Sequence, residues 1–263
     1  CASRSPVPAA CPSCGSAYLR QFGAGTQRVV AELEALMPGM PIVRMDADTT
    51  TGKGGHERQL AQFESLSLGV LVGTQMVAKG LDYPEVTLVG VLNADTTLHL
   101  PDFRASERTW QLLTQVAGRA GRGPLGGSVV IQTYWPDHPA VRAAASGQRE
   151  ALLAEEYGAR SILGYPPFGR LANIVISAPN EADAQKAAAA VATALESHMP
   201  SEGRLLGPSP APLAKLKRSY RWHVLLKAPA GAVLSESVRS ALSTIRKVEG
   251  TTIAVDIDPV DLL

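Results

Sequence analysis

Two arginines three residues apart, set among glycines, are the side chains of this sequence best suited to grip a phosphoryl group: Gln115-Val-Ala-Gly118-Arg119-Ala-Gly121-Arg122-Gly123. A guanidinium is a rigid fork that holds two oxygens at once as charge spreads over a phosphate in transfer, which a lysine ammonium does less well. If the preceding helix continues, Arg119 and Arg122 project from neighbouring turns; if it stops, they leave a tight glycine-punctuated loop, and in both cases they point the same way. The glycines would let backbone approach a polyanion. A second segment, Gly73-Thr74-Gln75-Met76-Val-Ala-Lys79-Gly80-Leu-Asp82, follows an apolar strand-like run. Ligands of open α/β sheets sit at the carboxyl ends of strands, and a Gly-Thr pair there offers N–H groups and a hydroxyl to a phosphate, with Lys79 adding charge. An ordinary βα turn is the plainer alternative for that segment.

Two further clusters carry chemistry. Cys11-Pro-Ser-Cys14-Gly is the tight turn that metal knuckles use, but zinc takes four ligands. Cys1 and the distant His56 are the nearest other candidates, so the pair reads as half a zinc site. Farther along, Lys215, Lys217, Arg218 and Arg221 are interleaved with Tyr220, Trp222 and His223 at the entrance to a strand. Cations hold phosphates or acidic peptide, and an aromatic ring can stack on a base. In a period-two strand Tyr220 and Trp222 share one face and Arg221 and His223 the other, so Trp222 is either core or a stacking residue. His99, His138 and His198 lack metal spacing, and Trp110 reads as core.

These side chains need a scaffold, and 263 residues are enough for two domains, each with its own core. Residues 1–25 are rich in Pro, Ser, Gly and Ala and read as a knuckle plus linker. From Thr26, helical and apolar strand patterns alternate: helix from Thr26 to Met37, strand Pro41 to Met45, helix Gly55 to Ser65, strand Gly69 to Val72, strand Val86 to Leu92, helix Ala105 to Ala117, strand Gly127 to Thr133. Continuous apolar strands between helices predict an α/β lobe over 26–138 with a parallel sheet covered on both faces. Residues 139–164 read as a helical bridge. Over 165–263 the predicted order is β-α-β-β-α-β, the split ferredoxin-like α+β arrangement, with its second strand confined to Arg204 to Leu206. Charge is nearly balanced at +1, so nothing in the net charge argues for nucleic acid, and local patches must. No apolar run of 18 residues and no basic-then-apolar leader opens the chain, which implies no membrane span and a cytoplasmic setting. A first residue of Cys, not Met, suggests a piece of something longer.

Gly73-Thr-Gln-Met76 with Lys79-Gly80, and Gln115-x-x-Gly118-Arg119-x-Gly121-Arg122, resemble motifs V and VI of superfamily-two helicases. Asp102-Phe-Arg104-Ala-x-Glu107-Arg108, Asp46-x-Asp48-Thr-Thr50 and the knuckle ahead of Gly25-Thr26-Gln27 narrow the likeness to the primosomal replication-restart helicases, over essentially the whole chain. The resemblance implies a RecA-like second motor lobe followed by the family's C-terminal domain. Arg122 would then be the arginine finger reaching ATP held with Mg²⁺ by a partner lobe, with Arg119 beside it and Gln115 on the same nucleotide face. Asp82, with Gly80, would lie near the nucleotide, while Thr74, Gln75 and Lys79 would contact DNA. Lys217, Arg218, Arg221 and Trp222 would engage branched DNA or the acidic tail of single-stranded-DNA-binding protein. Cys1 would belong to a different Zn²⁺ from Cys11 and Cys14. Activity would be 3′ to 5′ unwinding at stalled forks with primosome proteins as partners, near the nucleoid. No G-x-x-x-x-G-K-[ST] loop is present: Thr51-Gly52-Lys53-Gly54 lacks the upstream glycine and the hydroxyl. These residues alone should therefore not hydrolyse ATP, and a non-catalytic DNA- and protein-binding scaffold is the alternative.

Overall fold

The computed structural model describes residues 8–11, 14–17, 25–46, 49–50, 54–74, 83–246 and 248–262. Chain contacts divide it into two compact units, one formed by residues 8–100 and 104–152 and the other by 101–103 and 153–262.

The first unit is built from two parallel strand pairs. β1 (Ile42–Met45) pairs with β2 (Val70–Gly73), Val43 opposite Leu71, and α1 (Thr26–Leu36) and α2 (Gly55–Glu64) flank them. β3 (Leu88–Val91) pairs with β4 (Ser128–Ile131) in the register Gly90 opposite Val130. The sequence predicts one sheet covered on both faces; the described residues form two separate pairs, with Leu88 and Val130 exposed on β3 and β4. Short α3 (Asp95–Leu98) and long α4 (Ala105–Ala117) follow β3, and α5 (Pro139–Ser146) follows β4. Leu113 of α4, Ala94 and Val141 make a small core with Val91 and Ile131. Trp110 packs beside Ala140, Ala143 and Leu152, so its ring belongs to the interior. Pro139 sits in the first turn of α5, where its missing N–H costs nothing, and Gly147 ends the helix at φ 73°.

The second unit has a larger core, for a legible reason. β5 (Gly169–Ala178), α7 (Glu181–Glu196), β6 (Arg204–Leu216), β7 (Ser219–Pro229), α8 (Leu234–Ser243) and β8 (Thr252–Ile257) give an antiparallel sheet of order β6-β7-β5-β8. That is the split ferredoxin-like arrangement. Alternate residues of β5 and β7, including Ile174, Ile176, Val224 and Leu226, meet a stripe of Ala184, Ala187, Ala188, Val191 and Leu195 on α7. Alanine at helical spacing lets the helix lie close to the sheet, and Asn180 caps it by accepting the Ala182 N–H at 2.9 Å. β6 runs ten residues past its predicted end. The cis Gly207-Pro208 bond, Pro210 and Pro212 look like strand breakers, yet β6 is an edge strand, where a missing N–H can face outward, and its register shifts absorb the irregularity.

The predicted bridge 139–164 is shared between the units. α5 packs on α4 in the first, while most of α6 (Glu150–Leu163) falls in the second. There Tyr157 meets Phe168 edge-on at 4.5 Å, and the Lys227 ammonium donates to the Leu163 carbonyl at the end of α6.

Candidate functional site

Helix α4 does not continue through the arginine motif. It stops at Ala117, with Gly118 as its cap, and the chain enters turns in which Arg119 N–H bonds to the Val116 carbonyl and Ala120 N–H to Ala117. Gly121 then turns left-handed at φ 74° and donates its N–H to Val86 at 3.1 Å, tying the loop to the entrance of β3. A Cβ on Gly127 would lie 2.2 Å from Gly121 N, one on Gly121 2.8 Å from Gly127 N, and one on Gly123 2.4 Å from the Pro84 carbonyl oxygen. The space around these glycines is thus filled by the protein's own backbone. Loop-on-loop packing explains three of them without a ligand.

The motif's polar side chains emerge from this clamped loop. Gln115 is exposed on the last turn of α4, and Arg122 is exposed, its Nε donating to the Gly118 carbonyl at 2.7 Å. Arg119 is half-buried and its Nε is shielded from solvent. Of the other strand-end motif, Thr74 is exposed immediately beyond β2. Gln75, Lys79, Gly80 and Asp82 lie outside the described residues, as do Cys1, Asp48 and Lys53. Tyr83 anchors the end of that segment on α2, edge-on to Phe63 at 5.5 Å. Burial, with the Glu64 carboxylate as hydrogen-bond partner, pushes its phenol up to about 12.

Two buried carboxylates brace the strand ends of this unit. Asp46, past β1, accepts from the Thr26 hydroxyl at the start of α1 and from Thr49 N–H at 3.0 Å; Arg44 pairs with it at 3.0 Å without hydrogen-bond geometry. The Thr26 bond does most to hold its carboxyl below the usual range, against the opposing effect of burial. Asp95, 1% exposed at the start of α3, accepts from the Thr133 hydroxyl at 2.8 Å and from Tyr134 N–H at 3.0 Å. Burial alone would raise its carboxyl, but those two bonds, its own backbone N–H and nearby His99 outweigh it and the net shift is downward. Nothing in the sequence singles out Asp95, because its partners lie 38 and 39 residues away.

In the second unit the basic segment forms a hairpin. Leu216 faces Ser219, so Lys217 and Arg218 are the two loop residues, both at positive φ (47° and 69°) and both exposed. Turns with this twist favour Asn-Gly, and two long cations here hold backbone in a costly conformation. Lys215 crosses to Tyr220, its ammonium 4.3 Å from the ring centroid and 3.1 Å from the hydroxyl. Trp222 packs against the core cluster, whereas Arg221 points the other way and reaches the Leu213 carbonyl at 3.5 Å. His223 shares the face of Arg221; burial, then the Arg221 charge, lowers its pKa.

Cys11 and Cys14 are both thiols, and Gly15, at φ 70°, donates its N–H to the Cys11 carbonyl at 2.9 Å. Among the described residues no group of three His, Cys, Asp or Glu side chains is placed to hold a metal. No helix among the described residues is long and apolar enough to cross a membrane.

Comparison with known proteins gives this chain relatives. Residues 22–124 match the helicase conserved C-terminal domain, and residues 161–260 match the primosomal protein N C-terminal domain. Replication restart protein PriA of Bacillus subtilis (strain 168) is 43% identical over 259 residues, covering 98% of this chain and 32% of that protein. PriA of Synechocystis sp. is 41% identical over 95% of this chain and 30% of its own length, and PriA of Treponema pallidum is 41% identical over 100% and 40%. The chain thus spans about a third of the length of these relatives. The chain thus carries a helicase C-terminal domain followed by a primosomal protein N C-terminal domain, and from end to end it is similar to part of the replication restart protein PriA.

Proposed function

We propose that this chain supplies the second motor lobe and the C-terminal domain of an ATP-dependent 3′ to 5′ DNA helicase that recognises stalled or branched forks and restarts replication by primosome assembly. The observation that carries this is the loop at the end of α4, clamped by backbone packing, that presents exposed Arg122 beside half-buried Arg119, in a sequence that has no phosphate loop of its own. An arginine presented this way acts on a triphosphate bound by another lobe. Arg122 reaches the γ-phosphate when the lobes close and balances charge in the transition state, Arg119 orients it, and Gln115 lines the same face. ATP with Mg²⁺ would supply the phosphoryl chemistry, and Asp82 and Gly80 would bind the nucleotide. Because the guanidinium meets phosphate only on closure, hydrolysis is coupled to movement of a lobe whose Thr74, Gln75 and Lys79 hold the DNA backbone.

Lys217 and Arg218 at the hairpin tip, with Arg221 behind them, would hold phosphates of the fork or the acidic tail of single-stranded-DNA-binding protein; Trp222 braces the strand that carries them. Cys11 and Cys14 would complete a Zn²⁺ site with ligands from elsewhere in the full-length protein, Cys1 belonging to a second ion. The protein would work in the cytoplasm at the nucleoid, with other primosome proteins as partners. The test is Arg122→Ala in the full-length protein. DNA-stimulated ATP hydrolysis should be lost with fork binding retained, and unchanged turnover removes the arginine-finger role.

A further inference from the structure

Exposed aromatic rings are scarce here, since aromatics make up 5% of the chain and several pack against one another. Two that stand out are adjacent: Tyr134, 84% exposed, and Trp135, 53% exposed, immediately past the carboxyl end of β4. Their backbone is also braced. Tyr134 N–H is bonded to the buried Asp95 carboxylate at 3.0 Å, and Thr133 donates its hydroxyl to the same carboxylate while accepting Trp135 N–H at 3.0 Å. Trp135 meets the His138 ring edge-on at 4.7 Å, and His138 is itself fixed as the cap of α5, its Nδ1 accepting Ala140 N–H at 3.1 Å. Leaving two large rings in water costs hydrophobic free energy, and ordering their backbone costs more. An aromatic pair on a braced backbone stacks flat partners at a reduced entropy cost on binding.

Resting on the proposed role in DNA unwinding, we infer that Tyr134 and Trp135 form a stacking platform for bases of single-stranded DNA. The chemistry is an aromatic face against a nucleobase, which is tolerant of base identity. It sits at the strand end where α/β folds take nucleotide ligands. The occupant is a DNA base; the adenine of ATP offers the same chemistry and is separated by experiment.

In the full-length protein, Tyr134→Ala should weaken binding to an oligothymidine strand by roughly 10-fold or more, with the salt dependence of binding unchanged because a stacking ring neutralises no phosphate. Tyr134→Phe should bind as wild type, and on a strand of abasic sites the alanine variant and wild type should be equal. Wild-type affinity of Tyr134→Ala for oligothymidine, an equal loss on the abasic strand, or a raised KM for ATP with DNA binding unchanged each overturns the platform. Wild-type protein that shows no DNA-stimulated ATP hydrolysis would instead sink the motor role, so the two failures are distinguishable.

Discussion

Gly127→Ala probes whether backbone packing positions the arginines. Gly127 stands at the entrance to β4, five residues beyond Arg122, and has an ordinary φ, so alanine brings no backbone strain of its own. Its new Cβ would lie 2.2 Å from Gly121 N and 2.7 Å from the Ala120 carbonyl carbon, where real Cβ atoms essentially never come within 3.0 Å. The two segments must separate by about 0.8 Å to reach that limit. Ser128 N–H, held on the Thr87 carbonyl at 2.8 Å in the β3–β4 ladder, resists on one side. The softer side is the loop, which gives up the Gly121 N–H bond to Val86. Loss of that bond and the residual overpacking should destabilise the first unit by about 1–3 kcal/mol. A displacement near 1 Å of a charge-stabilising group lowers turnover by on the order of 100-fold. The assay is DNA-stimulated ATP hydrolysis by the full-length variant, beside its unfolding curve. Gly90→Ala is the control, since a Cβ there meets nothing within 4 Å. Hydrolysis within about threefold of wild type and an unchanged unfolding midpoint for Gly127→Ala would refute the view that this packing sets the loop.

Two further outcomes follow from the buried carboxylate and the hairpin. Asp95 is held below its ordinary value of 3.8, so it stabilises the folded chain fully above that value and loses the contribution as pH falls through its lowered folded pKa. Asp95→Asn should cost about 2 kcal/mol at neutral pH and flatten the acid limb of the stability profile, read by denaturant unfolding across pH. An unaltered acid limb would show that the Thr133 and Tyr134 bonds do not depend on charge. Replacing Lys217 and Arg218 together by Ala should lower the slope of log affinity against log salt for forked DNA by about 2, roughly 0.9 for each phosphate that is no longer neutralised. Filter binding or fluorescence anisotropy at several salt concentrations reads the slope, and one equal to wild type would take the hairpin tip off the DNA.

Local pattern is sufficient for the longer helices and for most of the second unit, but not for the one-turn α3 or for the break that divides the bridge into α5 and α6. α4 is legible to the residue, Ala105 to Ala117, because its apolar period and the glycines after it are local signals. The β-α-β-β-α-β order is legible because apolar strand-like runs and helices with an apolar stripe follow one another locally. The arginine motif is visible from residue type and spacing alone. Which way the helix ends, and that Gly121, Gly123 and Gly127 pack on protein backbone, are not, because their neighbours lie at Pro84 and across the loop itself. The expected end of the second strand at Leu206 falls ten residues short of β6, whose prolines are tolerable only through its place at the sheet edge. Trp222 stays open between core and surface until α7 and α8 cover one face of β7. Asp95 and the aromatic pair it braces have no signature at all. A carboxylate is read as solvated until the fold brings a hydroxyl and an N–H from nearly forty residues away to replace its water, and that replacement exists only in three dimensions.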